Sequence, residues 1–182
     1  MKTMLAATLL ATPFTLAAST TTAAEPSRET IELAKKVRKE LVILPFLSVF
    51  DNLSFRLEDG VVTLMGQVTR PTLRSDSENI IKRLEGVKSV SNQIEVLPLS
   101  PFDNRIRLAT LYSVYGYPAL QRYGLGTNPS IRIIVKNGEV TLEGVVLNEG
   151  DKNIAFLRAN GVSGVFKVTN NLRIENESKK KA

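Results

Sequence analysis

An internal repeat constrains the fold of this chain more than any other feature of its sequence. Residues 59–68, DGVVTLMGQV, match residues 137–146, NGEVTLEGVV, at the spacing of 78 residues that separates Gly60 from Gly138. The same spacing, without a gap, aligns residues 86–96 with residues 164–174. Because two separate blocks share one register, the chain is predicted to hold two copies of one structural unit.

Each copy contains the pattern of a β-hairpin. Asp59-Gly60 and Asn137-Gly138 suit a two-residue type I′ turn, which requires positive φ at both central residues. Apolar residues alternate with mostly polar neighbours on both sides of each turn, so one face of each hairpin should be buried. These apolar residues are Leu53, Phe55, Leu57, Val62, Leu64 and Val68 in the first copy, and Ile131, Ile133, Val135, Val140, Leu142 and Val146 in the second.

Helical patterns lie before and after each hairpin. The helix before the first hairpin has an apolar stripe that ends at Pro45, and the second copy has a less regular stripe closed by Gly116 and Pro118. The two stripes are Ile31, Ala34, Val37, Leu41 and Leu44, and Ile106, Leu108, Leu111, Tyr112 and Tyr115. Shorter helices are expected around 77–84 and 151–159, each followed by a last strand. The pattern predicts an α+β fold of two tandem αββαβ modules, each a three-stranded mixed sheet with two helices on one face.

The first residues differ from the repeated part of the chain. Lys2 precedes an apolar run, and small residues end at Ala24, which is typical of a secretory signal peptide. The run is interrupted and shorter than the roughly 20 apolar residues that span a bilayer. We expect a signal peptide at 1–24, a first module at 27–98, a second module at 102–175 and a basic tail at 176–182. With no cysteine to carry a lipid anchor, the protein is expected to be exported and periplasmic.

The repeated blocks resemble the BON domain, the family named for bacterial osmotically inducible and nodulation proteins. Both copies carry a turn glycine, Val-Thr-Leu-x-Gly-x-Val, a short helix and Gly-Val-x-x-Val-x-Asn before an alternating strand. The resemblance, to tandem BON proteins of the OsmY-like family, implies an αββαβ fold, an envelope location and phospholipid binding or support of envelope integrity. Some relatives assist the folding of exported proteins. The motif positions are structural rather than ligand-binding: Gly60, Gly66, Gly86, Asn92, Gly138, Gly144, Gly164 and Asn170.

The sequence argues against an enzyme. Histidine and cysteine are both absent, which removes the usual general base, the commonest metal ligands and the thiol nucleophile. No acidic calcium loop or phosphate-binding glycine loop is found. We therefore expect no catalytic residue, no metal and no cofactor. The net charge of +6 is scattered and includes lysines 179–181, a pattern that does not favour nucleic acid.

Candidate contact residues fall in two places. All four tyrosines lie within twelve residues of the second copy, close to three arginines, and tyrosine beside a cation suits a membrane interface. The set is Arg105, Arg107, Tyr112, Tyr115, Tyr117, Arg122 and Tyr123. Tyr112 and Tyr115 could instead pack in the core or between modules. Phe46 and Phe50 lie in an apolar connection that needs cover, either from a core or from a ligand or membrane.

Three functions fit this sequence. The first is binding to anionic phospholipid surfaces, in support of envelope integrity or stress tolerance. The alternative is a periplasmic protein-binding or chaperone-like module that uses edge strands or the segment 46–50. The third is a spacer with no ligand of its own.

Overall fold

A computed structural model of the protein describes residues 27–126 and 128–175. The predicted signal peptide and basic tail lie outside the described residues. Within them, the chain forms two units of αββαβ order, which confirms the predicted fold class, although the last strand of the first unit is divided into two short strands.

The first unit places helices α1 and α2 against a sheet whose centre is strand β2. Strand β1 pairs antiparallel with β2, and β3 and β4 both pair parallel with β2 on its other side. The elements are α1 (Arg28–Val42), β1 (Asn52–Glu58), β2 (Val61–Val68), α2 (Pro71–Lys82), β3 (Ser89–Asn92) and β4 (Glu95–Val96).

The second unit repeats this topology with β6 at the centre of its sheet. Strand β5 pairs antiparallel with β6, and β7 pairs parallel with β6. An additional short 3₁₀ helix, Pro118–Gly124, lies between the first helix and the hairpin. The other elements are α3 (Pro101–Tyr115), β5 (Ile131–Lys136), β6 (Glu139–Val146), α4 (Glu149–Asn160) and β7 (Lys167–Ile174).

Both hairpins turn where the sequence predicts. The central residues have positive φ at Asp59 (49°), Gly60 (82°), Asn137 (52°) and Gly138 (77°), as a type I′ turn requires. The two turns therefore share one backbone conformation.

Gly66 and Gly144 mark a close approach of backbones in each hairpin. Neither strand is bulged at its glycine, because Leu53 pairs with Gly66 and Ile131 pairs with Gly144 in unbroken ladders. A Cβ atom on Gly66 would overlap the carbonyl oxygen of Asn52, the first residue of β1, and one on Gly144 would overlap that of Ser130, just before β5. Both glycines also have a φ of 116° or more, which favours glycine.

Each unit has its own hydrophobic core. In the first, Val37, Leu41 and Leu44 are buried from the predicted stripe, but Ile31 is exposed. In the second, the predicted stripe is wrong at Leu108 and Tyr112, which both face solvent. Helix α3 instead buries residues spaced by three or four positions, namely Asp103, Ile106, Arg107, Thr110 and Val114.

The shorter helices begin earlier than predicted. Helix α2 begins at Pro71, where proline is favoured because the first helical N–H needs no partner. Helix α4 begins at Glu149, after Asn148 caps it by accepting a hydrogen bond from the Asp151 backbone N–H.

The connection between α1 and β1 joins the two units. The Ile133 N–H donates to the Val49 carbonyl at 2.9 Å, and the Arg132 guanidinium donates to the Ser48 carbonyl at 2.8 Å. The buried Asp51 carboxylate holds this connection by accepting from the backbone N–H groups of Ser48 and Thr69. A Lys136–Glu95 ion pair at 2.5 Å adds a second link between the units.

Candidate functional site

The outward face of α3 is the most unusual surface of the second unit. Arg105, Leu108 and Tyr112 lie along one line of the helix, since steps of three and four residues return to the same side. That line is opposite the buried stripe, and Leu108 is 49% and Tyr112 73% exposed. An exposed apolar stripe on a helix otherwise docked in a core indicates a contact surface.

Further apolar side chains extend this face towards the junction of the two units. Leu99, 94% exposed, and Phe46, 70% exposed, line a groove of about 560 Å³ together with Leu108. The Arg70 guanidinium lies 5.0 Å from the centre of the Phe46 ring, and the Arg105 guanidinium lies 5.8 Å from that of Phe102. We define the α3 surface by these residues: Phe46, Leu99, Phe102, Leu108 and Tyr112 with Arg70 and Arg105.

The α3 surface is cationic as well as apolar. The only acidic residue of α3, Asp103, is buried, where its carboxylate accepts from the backbone N–H groups of Asn137 and Gly138. Asp103 therefore stabilises the hairpin turn and adds no charge to the surface. The helix presents Arg105 without an exposed carboxylate of its own.

The outward face of α1, the first helix of the first unit, lacks such an apolar line. Leu33 lies against Gly86 as Ile106 lies against Gly164, which aligns α1 with α3 at a spacing of 73 residues, from Leu33 to Ile106. At that spacing Arg105, Leu108 and Tyr112 correspond to charged residues of α1. These are Glu32, Lys35 and Lys39.

Three of the predicted contact residues lie inside the second unit, Arg107 and Tyr123 buried and Tyr115 half-buried. The Arg107 guanidinium donates to the Val135 carbonyl at 2.8 Å, and the Tyr115 hydroxyl donates to the Ile131 carbonyl at 2.6 Å. Burial lowers the pKa of Arg107, which the charge of Asp103 opposes, and burial raises the pKa of Tyr115 to about 12. Tyr123 is also buried, and burial and its hydrogen bond to Asp151 raise its pKa.

Two other predicted residues have partners at the protein surface. The Arg122 guanidinium forms an ion pair with the buried Asp151 carboxylate at 2.7 Å, and the Tyr123 hydroxyl donates to the same oxygen. The Arg158 guanidinium lies 5.7 Å from the centre of the Tyr117 ring. Because Asp151 neutralises the charge of Arg122, this arginine is less available to a membrane than the sequence indicates.

The two predicted phenylalanines have different surroundings. Phe46 is exposed and has a φ of 66°, so the chain turns there and directs the ring towards the groove that Leu108 lines. Phe50 is half-buried and packs against the core of the second unit, beside Val49. Of the predicted contact residues, Phe46, Arg105 and Tyr112 belong to the α3 surface.

The repeat residues perform matching structural tasks. The Asn92 side chain donates to the Arg74 carbonyl and accepts from the Ile94 N–H. Asn170 makes the equivalent bonds to Lys152 and Leu172. Gly60, Gly86, Gly138 and Gly164 all have positive φ.

Sequence reasoning missed Leu99, Phe102 and the outward position of Leu108. The reason is that the 78-residue spacing does not extend to the first helices. A gapped alignment that pairs Leu33 and Leu41 with Ile106 and Val114 would have turned Leu108 outward.

Residues 27–126 and 128–175 provide no cluster of His, Cys, Asp or Glu suited to a metal ion. Over the same residues, no helix has both the length and the hydropathy required to cross a bilayer.

These features define a class: a tandem α+β protein whose repeated residues stabilise the fold. A model of the BON domain matches residues 30–98 and 119–176, and the chain belongs to the BON domain family. Proteins of this family are associated with the cell envelope, bind phospholipids and are in general not catalytic. The second match begins after α3, so this helix and most of the α3 surface lie outside it.

Solved structures give only a weak likeness. CdsD, a structural protein of the type III secretion system of Chlamydia trachomatis, is 13% identical, with 82% of this chain and 96% of that chain covered and a TM-score of 0.29. The C-terminal domain of CdsD is 14% identical, with 79% and 98% covered and a TM-score of 0.29. A search of curated proteins found no match.

Proposed function

We propose that this protein is a non-enzymatic, exported protein of the periplasm that binds phospholipid membranes through the α3 surface. In this role it supports envelope integrity or stress tolerance. The proposal assigns residues 27–98 and 102–175 to two modules that follow a signal peptide at 1–24. The observation that carries it is the exposed line of Arg105, Leu108 and Tyr112 on a helix whose only carboxylate is buried.

The chemistry of this line suits an anionic bilayer. Leucine and phenylalanine side chains insert among acyl chains, and tyrosine prefers the headgroup level. Each arginine near an anionic surface contributes about 1 kcal/mol. Two arginines and a few partly inserted side chains therefore give reversible attachment that salt weakens.

Flotation of the cleaved protein with vesicles of phosphatidylglycerol and phosphatidylethanolamine tests this function. We expect flotation at about 50 mM salt and loss of flotation near 500 mM, because screening removes the electrostatic part. Leu108→Glu should abolish flotation, since it places a carboxylate at the centre of the surface. Arg105→Glu should weaken it, most clearly at low salt.

Matched controls separate the surface from general effects. Lys35→Glu makes the same charge change as Arg105→Glu, but on the outward face of α1. Leu157→Glu replaces an exposed leucine of α4 with a carboxylate, as Leu108→Glu does on α3. Both controls should float like the native protein. Absence of flotation at low salt, or native flotation by Leu108→Glu, would contradict the proposal.

Protein binding is a second candidate function. It is favoured by one observation, namely that the outer edge of β1 is open.

A further inference from the structure

Strands β1 and β5 are the equivalent edge strands of the two sheets. In the first sheet, Ser54, Arg56 and Glu58 pair with β2 at positions that exchange hydrogen bonds across the hairpin. The N–H and C=O groups of the alternate residues therefore point away from the sheet. The outward residues are Leu53, Phe55 and Leu57 in β1, and Ile131, Ile133 and Val135 in β5.

The outer edge of β5 is covered. The Ile131 carbonyl accepts from the Tyr115 hydroxyl, and the Val135 carbonyl accepts from the Arg107 guanidinium. Between them, the Ile133 N–H donates to the Val49 carbonyl. The side chains of Ile131, Ile133 and Val135 are 0% exposed as a result.

The outer edge of β1 has no such cover. Within the described residues, its only strand partner is β2, and no hydrogen bond reaches the outward groups of Leu53, Phe55 or Leu57. The side chains of these three residues are only half-buried. Unpaired edges of this kind accept an added strand.

The difference arises from the helix beside each edge. At the 73-residue spacing, Arg107 and Tyr115 of α3 correspond to Ala34 and Val42 of α1, whose side chains carry no hydrogen-bond donor. A groove of about 470 Å³ remains between α1 and β1. Its lining is Thr30, Ile31, Ala34, Lys35, Arg38, Phe55 and Leu57.

The groove has an apolar floor and a basic rim. No carboxylate lines it, whereas Lys35 and Arg38 do. Lys35 is paired with Glu32 at 2.8 Å, and Arg38 has no ion pair within the described part of the chain. An added strand that alternates apolar and acidic residues would therefore match both the floor and the rim.

We propose that the β1 edge and this groove bind an extended segment of a partner protein in which apolar and acidic residues alternate. The molecule itself shows that such an edge takes a backbone partner, since the Val49 carbonyl, in the turn 48–51, accepts from Ile133 at the equivalent edge of β5. Pairing of β1 with the β1 of a second copy would bring two basic rims together, which like-charge repulsion opposes. This binding is independent of the lipid function, because the groove and the α3 surface share no residue.

The test uses the cleaved full chain and a labelled, capped Val-Glu-Val-Glu-Val-Glu peptide as the probe. Fluorescence anisotropy should show saturable binding, and the backbone amide NMR signals of Leu53, Phe55 and Leu57 should shift. A peptide with lysine in place of glutamate should bind at least about tenfold more weakly, because its charge matches that of Arg38.

Two variants test the site. Ala34→Arg places in the groove the side chain that fills it in the second unit, and should lower affinity at least about tenfold. Ala109→Arg makes the same change at an exposed position of α3 and should bind like the native protein. Arg38→Glu, on an exposed side chain that the fold does not need, should reverse the preference between the two peptides.

Several results would overturn the proposal. They are an absence of saturable binding, amide shifts confined to residues outside α1 and β1, or native binding by both Ala34→Arg and Arg38→Glu. Self-association through β1 without peptide would also overturn it, because the occupant would then be a second copy. Leu108→Glu should bind the peptide normally, so failure of lipid binding and failure of this proposal are distinguishable.

Discussion

Strands β1 and β5 occupy equivalent places in the two sheets, but the outer edge of β1 is open and that of β5 is covered. Both follow a first helix, both lead into the same turn, and both pair antiparallel with a central strand. Yet Ile133 is fully buried under Val49, whereas the equivalent Phe55 is only half-buried at an open edge. The comparison shows that the repeat conserves the scaffold, while the first helix of each module decides which surface is available.

The first helices of the two modules, α1 and α3, place charged and apolar residues on opposite sides. Helix α1 is charged there and apolar beside its edge strand, whereas α3 is apolar outward and places Arg107 and Tyr115 beside its edge strand. The first module thus offers a strand edge, and α3 of the second carries the central line of the α3 surface, Arg105, Leu108 and Tyr112.

The largest expected effect tests what the modules share. Gly66→Ala and Gly144→Ala should each destabilise their own module by about 3–4 kcal/mol, because a Cβ atom would overlap a backbone carbonyl at a positive φ. Urea unfolding measures the loss. Gly126→Ala, where φ is 89° but no atom lies within 4 Å, should cost about 1 kcal/mol. Tolerance of alanine in one module alone would break the claim of a common scaffold.

The next effect tests where the modules differ. Asp103→Ala should destabilise the second module by about 2–3 kcal/mol. The substitution removes two charge-assisted hydrogen bonds and leaves the backbone N–H groups of Asn137 and Gly138 without an acceptor. The equivalent change in α1, Thr30→Ala, removes only an exposed hydrogen bond with Ser27 and should cost less than about 0.5 kcal/mol. If urea unfolding shows that Asp103→Ala and Thr30→Ala lower the unfolding free energy equally, the structural role given to Asp103 is contradicted.

A smaller effect depends on pH. The pKa of Tyr115 is raised to about 12 by burial, from an ordinary value of 10.0. A raised pKa means that the folded state favours the neutral phenol, so this stabilisation is complete below pH 10 and is lost as the pH rises towards 12. The loss should reach roughly 2–3 kcal/mol, from the size of the shift.

Tyr115→Phe should remove most of this alkaline loss and cost about 1 kcal/mol at pH 7, through the missing hydrogen bond to Ile131. Because the pKa of Tyr123 is also raised, the unfolding free energy of the variant should still decrease somewhat as the pH rises. Tyr112→Phe, on an exposed ring, serves as the control. If Tyr115→Phe and native protein lose stability equally between pH 8 and 11, the inward position of Tyr115 is wrong.

The sequence predicted the parts of the fold that local pattern determines. The two hairpins follow from Asp59-Gly60 and Asn137-Gly138, whose backbone preferences need no tertiary context. The orientation of α3 was not predictable in this way, because Asp103 and Arg107 are polar residues that the core accepts only through bonds to a turn and a strand distant in sequence. The apolar pattern therefore predicts buried positions at Leu108 and Tyr112, which face solvent in the structure.

The candidate site was predicted in part for the same reason. Clustering of tyrosine and arginine indicates α3 and the segment after it, but only tertiary structure separates the inward Tyr115 from the outward Tyr112. The open edge of β1 was beyond sequence reasoning, because it depends on the side chains that α1 lacks in comparison with α3.

Amide hydrogen exchange tests the central claim most directly. Arg56 and Ile134, which pair inward with β2 and β6, provide an internal reference within each module. We predict that the Phe55 amide exchanges about 100-fold faster than that of Arg56, while the Ile133 amide exchanges within about tenfold of that of Ile134. Slow exchange at Phe55, or fast exchange at Ile133, would contradict the assignment of one open and one covered edge.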